Sequence, residues 1–326
     1  MKRSFPLLIL ALVAVLAACN GATGGLGSVP TAAPTPSAGP GEPDLTPGPT
    51  ATPSTAPSVE PSSGPSSTPA PAATPTQTPT ETMIVRAYFV LGGDPREAGL
   101  VPVLRVVPKS TAVAAAAMNG LLAGPTKDEA GDRTMTTAIP DGTELLGVTI
   151  KNGVATVDLS TQFDTGGGSA SMQYRLAQVV YTLTQFASVK SVVFQIEGQT
   201  VTVFGGEGIV LDGPVGRADF YDQLPEIFVD RPAYGAALGN PGKVTGTANV
   251  FEATFRIALI DASGKTLLDE MAMATCGTGC RGTFAVSLDY TVSKAQWGTL
   301  RTYDPSEVDG SPEAIRDYPV WLTPAG

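Results

Sequence analysis

The stretch Glu144-Leu145-Leu146-Gly147-Val148-Thr149-Ile150-Lys151-Asn152-Gly153-Val154-Ala155-Thr156-Val157-Asp158-Leu159 decides how the chain is to be read. Two runs rich in β-branched and apolar residues flank Lys151-Asn152-Gly153, and Asn-Gly supplies the positive backbone angles a tight hairpin needs. A β-hairpin over 144–159 is therefore expected, and elements of compatible type lie on both sides. Upstream, Ile84 to Leu91 and Val103 to Val107 read as strands. Val113, Ala117 and Leu121 then recur at fourfold spacing beside Ala114, Met118 and Leu122, a broad helical stripe that Gly124-Pro125 ends. Downstream, Met172, Leu176, Val179, Val180, Leu183 and Phe186 fall on one helical face. Two more strands, Ser191 to Ile196 and Thr200 to Phe204, flank Glu197-Gly198-Gln199. The order β-β-α-β-β-α-β-β over residues 83–205 predicts an α+β domain, an antiparallel sheet with helices on one face.

Past this domain the pattern changes. Gly205, Gly206, Gly208, Gly213, Pro214 and Gly216 interrupt the periodicity, and 206–226 reads as an interdomain linker. From 227 to 326 no helical stripe recurs. Short alternating stretches take its place: Lys243 to Asn249, Phe251 to Ile260, Lys265 to Met273, Gly282 to Tyr290, Gly298 to Thr302 and Tyr318 to Thr323. Their spacing predicts an all-β sandwich. Cys276 and Cys280, in Cys276-Gly277-Thr278-Gly279-Cys280, are expected to pair in a structural disulfide at a hairpin tip. So short a loop contributes only about 2 kcal/mol.

The amino terminus points outside the cytoplasm. Lys2 and Arg3 precede an apolar run from Leu7 to Leu16, too short to span a bilayer, and Leu16-Ala17-Ala18-Cys19 has the form of a lipobox. Residues 1–18 are thus expected to be a lipoprotein signal peptide and Cys19 the acylated residue, carrying a fatty-acid (palmitate-type) anchor. The Pro-, Ser-, Thr- and Ala-rich stretch within 19–82 cannot bury enough apolar surface to offset its chain entropy, so a disordered linker is expected. Its sixty or so residues would reach roughly 190 Å as polyproline helix or about 40 to 45 Å as a flexible coil.

The chain has a formal charge of −10, and removing Lys2 and Arg3 with the signal peptide leaves −12. Phosphate recognition needs clustered Lys and Arg, so no nucleic-acid partner is expected. There is no histidine, which removes the commonest general base and metal ligand.

The residues of the first domain carry a family resemblance. They are Leu100-Val101-Pro102-Val103 with Arg105, Leu121-Leu122-Ala123-Gly124-Pro125, Ile139-Pro140-Asp141-Gly142-Thr143, Gly153 to Ser160, and Gln178 to Thr184. In this order they resemble the GerMN domain of sporulation and spore germination proteins. Val244 to Phe255, the glycine-flanked cysteines and Ser306 to Ser311 resemble the immunoglobulin-like domain of bacterial spore germination. Neither family is defined by a catalytic constellation. The resemblance implies a non-enzymatic interaction or assembly module at the cell envelope, held to the membrane by lipid, docking to an envelope protein or to itself. Peptidoglycan or another glycan is the alternative ligand.

Residues with chemical potential each have a plainer reading. Ser160, beside Asp158, has no histidine to activate it and suits a helix-cap or turn role. Glu252, Asp261 and Asp309 are the candidate carboxylates for a cell-wall glycoside hydrolase. Glu252 falls in a strand pattern, however, and Asp309-Gly310 reads as a turn. Asp304, Glu307 and Asp309 lack the alternation of a calcium loop. No catalytic residue, metal site or cofactor is expected. The aromatic residues Tyr88, Phe89, Tyr174, Tyr181, Phe220, Tyr221, Trp297 and Trp321 could include a sugar-stacking platform, but most fall on core-facing strand or helix positions where packing explains them; Trp297, between polar and glycine residues, is the one to test for exposure.

Overall fold

The computed structural model describes residues 81–92, 98–131 and 134–325, all within one compact unit. The expected signal peptide, Cys19 and all but the last two residues of the 19–82 linker lie outside the described residues.

The first half opens with β1 (Thr82–Leu91) and β2 (Gly99–Pro108), antiparallel along their whole length, Thr82 opposite Pro108 and Leu91 opposite Gly99. Next come α1 (Val113–Leu122) and the short α2 (Lys127–Gly131), then β3 (Met135–Thr136), which pairs with the other edge of β1 at Val90 and Leu91. β4 (Leu145–Lys151) and β5 (Val154–Leu159) form the expected hairpin, and both turn residues have positive φ, 53° at Asn152 and 84° at Gly153. α3 (Ser169–Leu183) carries the chain across to β6 (Ser191–Ile196), along which β7 (Gln199–Thr200) returns.

The α+β class is as expected, with a finer arrangement. There are two sheets, β2-β1-β3 and β4-β5-β6-β7, and β5 and β6 run parallel. A helical crossover is what permits parallel pairing, and α3 supplies it. This helix is also buried beyond its apolar stripe: every residue from Arg175 to Leu183 is buried. Beyond the reach of β3, this edge of β1 has no neighbouring strand among the described residues, and side chains from α3 and the turn after it bond to its backbone. The Gln178 amide donates to Tyr88 O (2.8 Å), and Tyr88 N–H donates to Thr182 Oγ1 (3.3 Å). Gln185 takes the Arg86 N–H (2.8 Å) and donates to Arg86 O (2.7 Å). A stripe of polar side chains thus substitutes for a missing strand, satisfying groups that would be costly to bury unpaired.

The segment 206–226 is packed. After the small β8 (Val203–Phe204) and β9 (Ile209–Val210) hairpin, Leu211, Phe220 and Leu224 are buried and Val215 bridges Val192. The apolar residues between its glycines find the core, and Arg217–Gln223 forms a 3₁₀ turn against α3.

The second half contains β10 (Ile227–Arg231), β11 (Ala237–Leu238), β12 (Gly242–Ala248), β13 (Thr254–Asp261), β14 (Thr266–Met273), β15 (Gly282–Leu288), β16 (Gln296–Pro305) and β17 (Pro312–Leu322). They make the immunoglobulin-like sandwich from sheets β10-β12-β15 and β11-β17-β16-β13-β14. Phe255 and Phe284 meet edge to face across it, 4.8 Å between centroids. At Gly246 a Cβ would fall 1.9 Å from Phe228 O and 2.7 Å from the Phe284 ring, so only glycine fits.

Two details differ from expectation. The strand expected from Phe251 begins at Thr254, because Phe251–Ala253 is a turn in which Glu252 and Ala253 have φ of 50° and 60°. Cys276 and Cys280 are disulfide-bonded, but their loop connects a strand of one sheet to a strand of the other and does not tip a hairpin. Thr278 N–H donates to Val250 O (2.9 Å) and Thr278 Oγ1 accepts from Glu252 N–H (3.0 Å), which ties the loop to the 250–252 turn.

Candidate functional site

Both halves contribute to one continuous core, and polar groups tie them together at its margin. Asp230, at the end of β10, accepts a hydrogen bond from Tyr88 Oη (2.6 Å) and ion-pairs with Arg86 (3.3 Å) and Arg217 (3.5 Å). Arg217 lies over the Tyr181 ring, 4.6 Å from its centroid, and donates to Tyr88 Oη (3.1 Å). Burial, then the Asp230 charge, pushes the Tyr88 phenol well above its ordinary value. Burial pulls the Arg217 guanidinium down, but Tyr88, Asp230 and Tyr181 outweigh it and the net shift is upward. These directions keep Tyr88 a neutral donor and Arg217 a cation, and the contacts join β1, the 217–223 turn and β10.

A second set of contacts holds the opposite end of β1 and β2. Arg316 of β17 donates to Leu91 O (2.8 Å) and Gly99 O (3.2 Å). A Cβ on Gly99 would fall 2.7 Å from the Pro225 ring, and nearer the middle of β2, at the register position of Tyr88, Tyr234 N–H donates to Pro102 O (2.8 Å).

Beside the joint lies a cleft of about 530 Å³ between the halves. Its walls include Ile84, Leu104, Pro232 and Leu238, and Arg231 and Lys243 are exposed at its rim. Neither rim cation has a carboxylate within ion-pair distance among the described residues. The apolar character continues onto the sheet: Ile84 and Val106 are directly opposite each other and 65% and 70% exposed, with Leu104 at 39%. This apolar patch is rimmed by cations on a chain of charge −10.

The other end of β1 is acidic. Glu226, Asp304 and Glu313 line a second cleft of about 520 Å³ around Arg316, with Glu307 nearby and Ile315 and Val308 exposed. Partial burial, then Glu226, Glu313 and Glu307, raises the Asp304 carboxyl above its ordinary value. Ile84 and Leu91, which mark the two ends, are seven residues apart along an extended strand, roughly 23 Å.

The residues weighed for chemistry go to other tasks. Asp158 Oδ1 accepts the Gly198 N–H (2.9 Å), and Ser160 Oγ accepts the Glu144 N–H (2.9 Å). Ser160 precedes the 161–164 turn without a side-chain capping bond, so it anchors Glu144 instead of the expected cap. Asp261 and Asp309 each accept backbone N–H groups of their own turns. Glu252 is an exposed turn residue. Among the described residues no group of three or more His, Cys, Asp or Glu is placed to hold a metal ion, and no helix is long and apolar enough to cross a membrane. Trp297, the aromatic singled out for a test of exposure, is 49% exposed, and Trp321 is 37% exposed beside it. Sequence reasoning also passed over Arg175, which is 2% exposed and donates to the carbonyls of Ala138, Phe163, Thr165 and Gly166. A lone Arg in an apolar helical stripe was the available signal.

Comparison with known proteins gives two family matches. Residues 86–202 match the Germane family, described as sporulation and spore germination. Residues 226–311 match Gmad2, the immunoglobulin-like domain of bacterial spore germination. No curated protein matches the chain. Among solved structures, the first GerMN domain of the sporulation protein GerM from Bacillus subtilis is 24% identical over 42% of this chain and 100% of that one, TM-score 0.36. The tandem GerMN domains of the same protein are 19% identical over 64% and 62%, TM-score 0.36. A candidate lipoprotein from Clostridium perfringens is 20% identical over 46% and 98%, TM-score 0.31. Residues 86–202 of this chain are thus similar to the sporulation and spore germination (Germane) family, and residues 226–311, which follow, to the immunoglobulin-like domain of bacterial spore germination.

Proposed function

We propose that the protein is a non-enzymatic, lipid-anchored assembly module of the cell envelope that associates head to tail with copies of itself. The observation that carries this reading is the pairing of surfaces at opposite ends of β1. One is apolar with the unpaired cations Arg231 and Lys243, and the other is apolar with Glu307, Glu313, Glu226 and Asp304. Surfaces that differ yet complement each other generate rings or filaments rather than closed dimers. Exposed charges set orientation and encounter rate more than affinity, so association is expected to be salt-sensitive. The lipobox at Cys19 supports an extracytoplasmic, membrane-attached location, which would concentrate the chain in two dimensions. The lack of histidine, and the structural duties of Ser160, Asp158, Asp261 and Asp309, support a role without catalysis.

Sedimentation velocity of the mature chain tests assembly: species larger than a monomer should grow with concentration and shrink as salt rises. Membrane fractionation tests the anchor, with Cys19→Ser expected to release the protein from the membrane.

A further inference from the structure

Trp297 and Trp321 are the only tryptophans in the chain, and they stand directly opposite each other on β16 and β17. Their rings meet edge to face, 5.3 Å between centroids, and both are partly exposed. Neither indole N–H has a hydrogen-bond partner among the described residues. A large aromatic left open to water, with its donor unused, needs an explanation in a way that a scattered surface leucine does not.

The surroundings indicate the ligand chemistry. Trp297 forms one wall of an open cleft of about 590 Å³, within the usual size range for small-ligand sites. Asp261, Thr299, Arg301 and Pro319 line the same cleft. These groups are held in place. Arg301 makes two 2.7 Å bonds to Asp317, which fix the plane of its guanidinium. Asp261 Oδ1 receives Ser263 N–H (2.8 Å), Ser263 Oγ–H (2.6 Å) and Lys265 N–H (3.0 Å), while Oδ2 takes none of these bonds. The hydrogen bond from Ser263, with the backbone N–H groups, holds this carboxyl below its ordinary value, so it is a charged acceptor. A protein hot spot would set its tryptophan in a desolvated apolar ring. Here the aromatic wall is bordered by a hydroxyl, a fixed cation and a free carboxylate oxygen.

Such a mixture matches one chemical class. A pyranose ring has an apolar C–H face that can lie on an indole, and an equatorial rim of hydroxyls that must exchange hydrogen bonds with fixed polar groups. We propose that the Trp297–Trp321 face of the sandwich is a binding site for an oligosaccharide of β-linked hexose units. Trp297 supplies the stacking surface, Asp261 Oδ2 accepts from a sugar hydroxyl, and Arg301 and Thr299 offer the remaining polar contacts. This surface includes none of the residues assigned to head-to-tail assembly, so either reading can fail without the other.

The experiment is titration of the mature chain with two soluble probes, an oligomer of β-1,4-linked N-acetylglucosamine and an oligomer of β-1,4-linked glucose, read by tryptophan fluorescence and by calorimetry. Because both tryptophans are at the site, the whole intrinsic signal reports on it. Binding with Kd of about 0.1 to 1 mM is expected, with a fluorescence shift. Preference for the first probe assigns the site to an amino-sugar polymer, and preference for the second to a plain glucan. Trp297→Ala should weaken binding at least about tenfold by calorimetry while leaving the unfolding midpoint within a few degrees, and Asp261→Asn, which keeps both rings, should weaken it about fivefold. Absence of heat and of spectral change with both probes, or binding unaltered by both substitutions, would overturn the proposal.

Discussion

Arg175 shows how much one residue can hold. Its guanidinium closes the 163–166 turn and reaches Ala138, so four backbone carbonyls depend on a single buried cation. Arg175→Met keeps most of the volume and leaves those carbonyls unpaired. A loss of about 3 kcal/mol or more is expected in denaturant unfolding, and a change under about 0.5 kcal/mol would contradict this role. Glu129 makes a prediction in pH. Burial pushes its carboxyl up, but the hydrogen bonds from Arg105 (2.7 Å) and Thr126 N–H (2.8 Å) outweigh it and hold the carboxyl below its ordinary value. A carboxyl depressed in the folded state stabilises fully above its unfolded pKa, near 4.3, and that contribution disappears as pH falls through the lower folded value. Glu129→Gln should therefore lower the melting temperature at pH 7, and the gap to the native chain should close in strong acid. A gap that widened on acidification would reverse the assignment.

At the scale of elements, the sequence was most informative where local chemistry dictates backbone shape. Asn152-Gly153 could be read because few residue pairs accept two positive φ values in succession, and the stripes of α1 and α3 because burial follows the helical period. The parallel pairing of β5 and β6 was not legible, since strand direction depends on where α3 packs rather than on the strand residues. Nor was the packing of 206–226, where glycines mark the segment between the two family matches and Leu211, Phe220 and Leu224 are buried. At the candidate sites, the polar and glycine neighbours of Trp297 marked it only as a residue to test, and the exposure of Trp321 depends on its cross-strand partner. The opposed clefts required the three-dimensional meeting of β1, β2, β10 and β17. The polar edge of α3 gives the test at this scale. Gln178→Leu leaves Tyr88 O and the Ala138 N–H without their partner and should cost about 2 to 4 kcal/mol. Amide exchange at Ala138 should accelerate well before global unfolding, and unchanged protection there would show that the helix does not act as a surrogate strand.

The described residues form two domains fused through one core, so the two ends of β1 are held in a fixed relation. Arg86, Arg217 and Tyr88 converge on Asp230 at one margin, and Arg316 reaches Leu91 and Gly99 at the other. A fixed relation matters for assembly, because a repeating head-to-tail contact closes or extends regularly only if each subunit presents its two faces at a constant angle. Charge exchange tests this claim most directly. Arg231→Glu with Lys243→Glu gives a chain acidic at both ends, and Glu307→Lys with Glu313→Lys gives a chain basic in both places. By sedimentation velocity at low salt, the native chain should assemble, each double variant alone should remain monomeric, and an equal mixture of the two should assemble again. A native chain that stays monomeric at every concentration and salt, or a mixture that stays monomeric where the native chain assembles, would contradict the account.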